Sequence, residues 1–311
     1  MAPGALRGLP GRNEKKLSMQ RRLAICQDDY GLHPGVNDAA LQLIGLGRLQ
    51  AVSCMVGAPC WAAGVPALAR LPAGQVDVGL HLDLTEHPLG REPRRALREV
   101  LLAALLRRLD PATLRAEITA QLDAFEQAVG RAPDHVDGHQ HVHQLPVVRD
   151  VLMEVLQTRY PATAGRPRPW LRSTRRPARL HAPQAGAFKP WLIETLGSAA
   201  LGRLAQTRGF ARNRRFLGIY GFDGDEAGYR TLLAQWLAAA GDGDLLMCHP
   251  ALNSGADDAI RAARRRELAV LASADFGALL AQAAATGLVL APLSATLASP
   301  AGAGTAQAAS L

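Results

Sequence analysis

The stretch RRLAICQDDYGLHPGVNDAALQLIGLGRLQAVSCMV, residues 21–56, joins two short apolar runs through one helical pattern. It opens with the strand-like run RRLAICQ and closes with a second one, LQAVSCMV. A helical pattern runs between them from Gly35 to about Leu46 and stops at Gly47. This order is typical of two parallel strands joined by a crossover helix, so the stretch predicts an α/β fold.

The same alternation continues along the chain. Further strands are predicted in VDVGLHLDL at 76–84, DHVDGH at 134–139, PWLRS near 169–173, RFLGIYG near 215–221, DLLMCH at 244–249 and LVLAPL at 288–293. Helices are predicted at 60–71, 94–108 and 111–129, and after Pro146. Eight such units without a long Gly/Ser/Pro linker predict a single-domain, distorted (β/α) barrel with parallel strands, similar to a TIM barrel.

The two ends of the chain lie outside this pattern. Residues 1–18 are basic and lack the apolar core of a secretory signal, so they are predicted to be a disordered extension, with Met19 as a candidate true start. Residues 298–311 offer little to a core and are predicted to be a disordered tail. The barrel domain is therefore expected at 19–297.

The composition excludes several classes of protein. With 48% hydrophobic and 20% charged residues, the chain is neither disordered nor fibrous. The net charge of +8 is scattered with few aromatic residues between the arginines, which argues against nucleic-acid binding. No apolar run of about eighteen residues occurs, so no membrane span is expected and the cytoplasm is the default location. The four cysteines form no CxxC pair and are predicted to be reduced and structural.

Residues suited to acid–base or metal chemistry end four of the predicted strands. Asp28 and Asp29 end the first, His81 lies near the end of the third, DGHQHVH ends the fourth and His249 ends a late strand. In parallel α/β folds the carboxyl ends of the strands face one side, where active sites gather. Because the chain has only nine histidines, this distribution predicts one common site.

Two carboxylates stand side by side in the first motif. On an extended segment Asp28 and Asp29 would point to opposite sides, but at a strand end the backbone can turn and present both. One could then bind a cation while the other accepts a proton from metal-bound water. A helix cap or a turn is the alternative. His81 is a candidate neutral imidazole ligand, with a hydrogen-bonded core histidine as the alternative.

The fourth motif holds three histidines with period two. In an extended chain His139, His141 and His143 would face one side, but they step by about 6.5 Å and cannot all reach one ion. We expect one ligand, with the others supporting it, facing the substrate or serving the fold. Asp137 shares their phase and could hold a ligand imidazole in one tautomer. A surface cluster or a hydrogen-bonded turn is the alternative.

Two further residues are candidates for the chemistry. His249 could donate a proton to a leaving group or a hydrogen bond to an oxyanion, and a structural role is equally compatible with its position. Arg172, in PWLRSTRRP, could contact a polar substrate, although neighbouring arginines could do the same.

Taken in order, DDYG, VGLHLDLT, DHVDGHQHVHQLP and LMCHP resemble the motifs of the YdjC-like carbohydrate deacetylases, which include chitooligosaccharide and hopanoid-biosynthesis-associated deacetylases. The resemblance runs from about Arg21 to Leu293. It implies a distorted, often dimeric barrel that uses a divalent metal to remove acetyl groups from an N-acetylated sugar, oligosaccharide or glycolipid. An acetylated sugar and a second copy of the chain are then the expected partners.

The resemblance also implies a role for each motif residue. It assigns the metal to Asp29, His81 and His139 and the general base to Asp28. It places His249 as proton donor, and His143 and Arg172 toward the substrate.

The chain departs from the family pattern at several positions. Tyr30 replaces the usual phenylalanine and Ala251 replaces a frequent glycine, but no implied ligand is lost. The family is generally described with magnesium, whereas two imidazoles and one carboxylate with an open position suit zinc. The ion is therefore left open between the two.

Two other functions fit parts of the pattern. An amidohydrolase-like barrel with a two-metal centre commonly uses an HxH pair, but that class places the pair on its first strand, where this chain carries two aspartates. A barrel that binds metal or sugar without turnover is the second alternative, and the presence of Asp28 beside a full ligand set argues against it.

Overall fold

A computed structural model describes residues 20–90, 95–162, 168–177 and 197–297. The strands are β1 (Arg21–Tyr30), β2 (Ala51–Cys54), β3 (Asp77–Leu82), β4 (His135–Gly138), β5 (Trp170–Leu171), β6 (Phe216–Leu217), β7 (Asp244–Cys248) and β8 (Leu288–Leu290). The helices are α1 (Pro34–Gly45), α2 (Trp61–Ala69), α3 (Leu97–Leu105), α4 (Pro111–Val129), α5 (Val148–Arg159), α6 (Ser198–Thr207), α7 (Glu226–Ala239), α8 (Arg261–Ala272), α9 (Ala274–Ala285) and α10 (Leu293–Leu297). All eight predicted strands are confirmed. The expected extension, 1–18 with Met19, and the expected tail, 298–311, lie outside the described residues.

The strands form one parallel sheet. Its order is β5-β4-β3-β2-β1-β7-β6, and β8 pairs with the start of β1. Leu23 pairs with Asp244 of β7 and with Leu290 of β8, so β7 and β8 lie on opposite edges of β1. The sheet curls into a half-barrel with helices, which confirms the predicted distorted (β/α) barrel.

The two edge strands, β5 and β6, do not pair directly within the described ranges. The segments beside them make the connection instead. The backbone N–H of Leu171 in β5 donates to the carbonyl of Ala211, before β6, and the N–H of Phe216 in β6 donates to the carbonyl of Arg175, after β5. These contacts narrow the open seam of the barrel and hold the end of β5 in place.

Alternate residues of β1 pack into two different cores. Leu23 and Ile25 belong to the large core shared with the helices. Ala24 and Cys26 belong to a smaller cluster that also contains Trp170, Phe216, Leu245, Met247 and Leu293. Because both faces of the strand are covered, its sequence reads as a continuous apolar run rather than an alternation.

The fourth motif does not continue as an extended chain, so the expectation that His139, His141 and His143 face one side is wrong. Strand β4 ends at Gly138, and His139–Gln144 forms a 3₁₀ segment. Gln140 and His141 have left-handed backbone angles, with φ of 53° and 61°. The segment therefore turns back sharply and distributes its histidines in different directions.

A β carbon has no room at Gly79, in the middle of β3. An added Cβ would lie 2.3 Å from the ring of His135, which is fully buried and stacked on Trp170 with 4.4 Å between ring centroids. We expect Gly79→Ala to lower the free energy of unfolding by about 1–3 kcal/mol through overpacking, as measured by urea denaturation. Gly45→Ala, at the end of α1 where an added Cβ meets nothing within 4 Å, should be neutral or stabilising. Equal stability of the two variants would contradict this view of the packing.

No single helix in the described parts of the chain is long and apolar enough to cross a bilayer. Helices α8 and α9 are long and apolar enough only when taken together, and the pair is bent by 60°. Leu271 and Phe276, one from each, are fully buried in the fold.

Candidate functional site

Residues from four strand ends meet in one cleft of about 1000 Å³. Six of the residues singled out in the sequence line it: Asp28, Asp29, His81, His139, His141 and His249. Three others, Asp137, His143 and Arg172, are fully buried and are not among the residues lining the cleft. The structure thus brings the predicted residues together, with one set on the wall and another behind it.

A backbone turn at the end of β1 brings both aspartates to the same site. Asp29 has a left-handed φ of 68°, and the pairing of β1 with β2 shifts register between Gln27 and Tyr30. The Nε2 atom of His81 lies 3.9 Å from Oδ2 of Asp28 and 3.4 Å from Oδ1 of Asp29. The two carboxylates therefore face one imidazole, as the expected turn requires.

Asp29, His81 and His139 offer three ligand atoms within 4.8 Å of one another. Nδ1 of His139 lies 3.0 Å from Oδ1 of Asp29, and the other nitrogen, Nε2, lies 3.0 Å from Oε1 of Glu86. Burial acts to lower the pKa of His81, but Asp137 and Asp28 outweigh it and raise the pKa to about 9. The field of these carboxylates favours a positive charge here, so the donor set fits a divalent cation.

Two other groups of side chains could hold a metal by distance alone. Asp28, His81 and Asp137 share His81 with the first group, and Cys26, His135 and Asp137 lie beneath it. In the deeper group Nη2 of Arg172 lies 3.2 Å from Sγ of Cys26, so a guanidinium already occupies that position. The Asp29 group is the one in which all three residues line the cleft.

Asp137 holds the imidazole of His81. Its Oδ1 lies 2.6 Å from Nδ1 of His81, which leaves Nε2 directed at Asp28 and Asp29. Its Oδ2 accepts a hydrogen bond from the hydroxyl of Ser53 at 2.7 Å. A carboxylate behind a ligand imidazole fixes the tautomer and increases the basicity of the ring.

Arg172 forms a buried ion-pair centre behind the wall. Its two terminal nitrogens donate to both oxygens of Asp28 at 2.6 Å, and Nη2 also lies 2.5 Å from Oδ2 of Asp137. Burial acts to raise the pKa of Asp28, but Arg172 and then His81 hold it below its usual value. The structure therefore places Arg172 against the carboxylates rather than on the cleft wall.

The remaining histidines of the fourth motif have separate surroundings. His141 lines the cleft and packs edge-on against Phe216, and burial together with Arg172 keeps its pKa well below the usual value. His143 donates from Nε2 to the backbone carbonyl of Arg172 at 3.0 Å, and burial lowers its pKa to about 4. His141 is thus available to a ligand as a neutral ring, while His143 supports the end of β5.

His249 directly follows β7, which lies on the other side of β1 from β3 and β4 in the sheet order. Its Nε2 lies 3.9 Å from Oδ2 of Asp28, and its ring packs edge-on against Phe222. Its backbone N–H donates to Oε2 of Glu267 at 2.5 Å. The side chain therefore faces the same carboxylate that Arg172 holds from behind.

Sequence reasoning missed Arg264, which neutralises Asp29. Its Nη2 lies 2.7 Å from Oδ2 of Asp29, and its Nε donates to Asp258 at 2.7 Å. Arg264 sits among several arginines in RAARRRE, so the residue type gives no signal. Its spacing does give a signal, because Arg264 falls in the buried stripe of α8, which also holds Ala263, Glu267, Leu268 and Leu271.

Most of the chain matches one known family. Residues 22–282 match the family model described as YdjC-like protein. A carbohydrate deacetylase from Mus musculus is 34% identical over 168 residues, which cover 46% of this chain and 52% of that protein. A chitooligosaccharide deacetylase from Proteus mirabilis (strain HI4320) is 29% identical over 145 residues, 45% of this chain and 56% of that protein. The chain spans about half the length of the curated relatives it matches.

Solved structures share the fold. A protein from Enterococcus faecalis V583, provisionally assigned to cellobiose-phosphate cleavage, aligns with a TM-score of 0.64 at 19% identity, covering 89% of this chain and 99% of that chain. An uncharacterized protein from Agrobacterium tumefaciens C58 aligns with a TM-score of 0.50 at 14% identity, covering 89% of each chain. At these identities the likeness shows the architecture alone.

Proposed function

The chain belongs to the YdjC-like protein family, and from this premise we propose that it is a metal-dependent hydrolase that removes acetyl groups from an N-acetylated sugar, oligosaccharide or glycolipid. Relatives named carbohydrate deacetylase and chitooligosaccharide deacetylase support this activity. The observation that carries the proposal is the meeting of Asp28 with Asp29, His81 and His139 on one cleft. A proton acceptor beside a cation site is one arrangement that catalyses hydrolysis of an amide.

In this proposal Asp29, His81 and His139 hold one divalent ion. A bound ion would polarise the acetyl carbonyl and lower the pKa of water. The two imidazoles favour zinc, and the family resemblance favours magnesium. Asp137 keeps Nε2 of His81 directed at the ion site through the hydrogen bond at Nδ1.

The proton transfers are assigned to residues on the two sides of this site. Asp28, kept ionised by Arg172, accepts the proton of the attacking water. His249, 3.9 Å from Asp28, gives a proton to the departing amine. His141 contacts the substrate from the cleft wall, while His143 and Arg172 act from behind the wall by positioning.

One observation favours a single-ion centre over the two-metal alternative. The groups Asp29, His81, His139 and Asp28, His81, Asp137 share His81, and Nδ1 of that residue is already engaged by Asp137. A metal titration that gives one ion per chain supports the deacetylase, whereas two ions per chain support the amidohydrolase-like reading. Sugar binding without acetate release, under every metal tested, would favour a non-catalytic barrel.

Removal of the metal is expected to abolish acetate release from an N-acetylated sugar. The protein is stripped with a chelator, then supplied with Mg²⁺ or Zn²⁺, and acetate is measured over a panel of acetylated glycans and glycolipids. Activity should return with one equivalent of the native ion, and the panel identifies the substrate. Undiminished acetate release from protein shown to be free of metal would refute the proposed function.

A further inference from the structure

Helix α3 carries leucines on its solvent side, next to the cleft. Leu102, Leu105 and Leu106 are 59%, 51% and 51% exposed. Five of the eight exposed large hydrophobic side chains in the described residues lie in this short region: Leu89, Leu97, Leu102, Leu105 and Leu106. Single exposed leucines are ordinary, but a contiguous group of this kind marks an interaction surface. We call Leu102, Leu105 and Leu106 the leucine ridge.

The exposed leucines of the ridge do not belong to the buried face of α3. The buried residues of α3 are Val100 and Ala104. At about 100° per residue, Leu102 lies on the side opposite to them, and Leu105 and Leu106 flank it. A surface helix normally carries charged residues there. Packing within the chain therefore does not account for these leucines.

Helix α3 also borders the proposed active site. Leu97 and Leu101 line the cleft, and both lie between the buried side of α3 and Leu105. A surface that covers the ridge would therefore lie beside the mouth of the cleft.

Three arginines lie beside the ridge. Arg98, on α3, and Arg107 and Arg108, directly after it, are exposed and form no side-chain ion pair within the described ranges. The acidic neighbour Glu99 is engaged as a cap, accepting from the backbone N–H of Ala96 at 3.0 Å. The ridge with its arginine rim thus complements a surface that has an apolar interior and an anionic outer layer.

We propose that the leucine ridge and its arginine rim dock on a lipid bilayer surface that bears anionic headgroups, with α3 lying in the interface. Apolar side chains on one face and basic residues at the headgroup level are what this mode of binding uses. A second copy of the chain fits less well, because a two-fold contact of ridge against ridge would bring both arginine rims face to face. The proposal stands independently of the reaction assigned to the cleft.

The test is sedimentation of the full chain with vesicles of phosphatidylcholine, with and without phosphatidylglycerol. We expect binding to the vesicles that contain phosphatidylglycerol and a decrease with added salt. The variant Leu102→Ser/Leu105→Ser/Leu106→Ser should bind at least about tenfold more weakly. Leu46→Ser/Val289→Ser, at two exposed positions outside the ridge, is the matched control and should bind as the unmodified chain does.

The arginine rim and the fold of each variant are tested separately. Arg107→Gln/Arg108→Gln should weaken binding and reduce its dependence on salt, and circular dichroism should show that each variant is folded. Binding by the triple serine variant equal to that of the unmodified chain would overturn the proposal. So would a chain that binds no vesicle but forms a dimer, which the triple variant converts to a monomer, because the occupant of the ridge would then be a second copy.

Discussion

Asp28→Asn is expected to lower the rate of acetate release by about 10²- to 10⁴-fold, the usual contribution of a general base. The amide keeps the shape of the side chain but cannot accept the proton of the attacking water. Asp29, His81 and His139 are unchanged in this variant, so binding of a divalent ion should persist. The two quantities to measure are therefore kcat for an N-acetylated sugar and the Kd of the metal alone.

The comparison of these two quantities separates the two roles open to Asp28. Asp257→Asn is the matched control, because this exposed carboxylate also lines the cleft but lies outside the ligand cluster, and it should keep most of the activity. A loss of metal affinity in Asp28→Asn as large as the loss of rate would make Asp28 a ligand. Full activity would remove it from the mechanism.

Arg172→Met is expected to lower the free energy of unfolding by about 3–5 kcal/mol, the usual cost of removing one partner of a buried ion pair. Arg172 is fully buried and contacts the carboxylates of Asp28 and Asp137 and the hydroxyl of Ser53. Without it, two aspartates that repel each other stay buried with less compensation. The measurement is urea denaturation of both proteins under the same conditions.

Two further variants test whether charge or geometry is responsible. Arg172→Lys keeps the charge but cannot bind both oxygens of Asp28 in a fork, so it should recover only part of the lost stability. Arg175→Met removes an exposed arginine three residues further on and should change stability by less than about 0.5 kcal/mol. If Arg172→Met were as stable as Arg175→Met, the buried ion pairs would not be contributing as described.

The sequence predicted the strands well because their signal is local. The strands β1, β3 and β7 each hold a short apolar run, and parallel strands covered on both faces are largely apolar. The sequence also predicted that the motifs at the strand ends meet in one site, since the carboxyl ends of parallel strands share one side. The prediction that the histidines of the fourth motif face one side failed. Gln140 and His141 adopt left-handed backbone angles there, and neither residue type indicates such angles in the sequence.

The sequence by itself determined the architecture and six of the residues that line the cleft, because both follow from local periodicity and from the direction of the strands. Only the tertiary structure decided which charges compensate one another. Arg172 reaches Asp28 across 144 residues, and Arg264 reaches Asp29 across 235. The chain offers many arginines, and a buried carboxylate is stabilised by whichever one the fold brings within hydrogen-bonding distance. That distance is a property of the packed barrel, and no local pattern contains it.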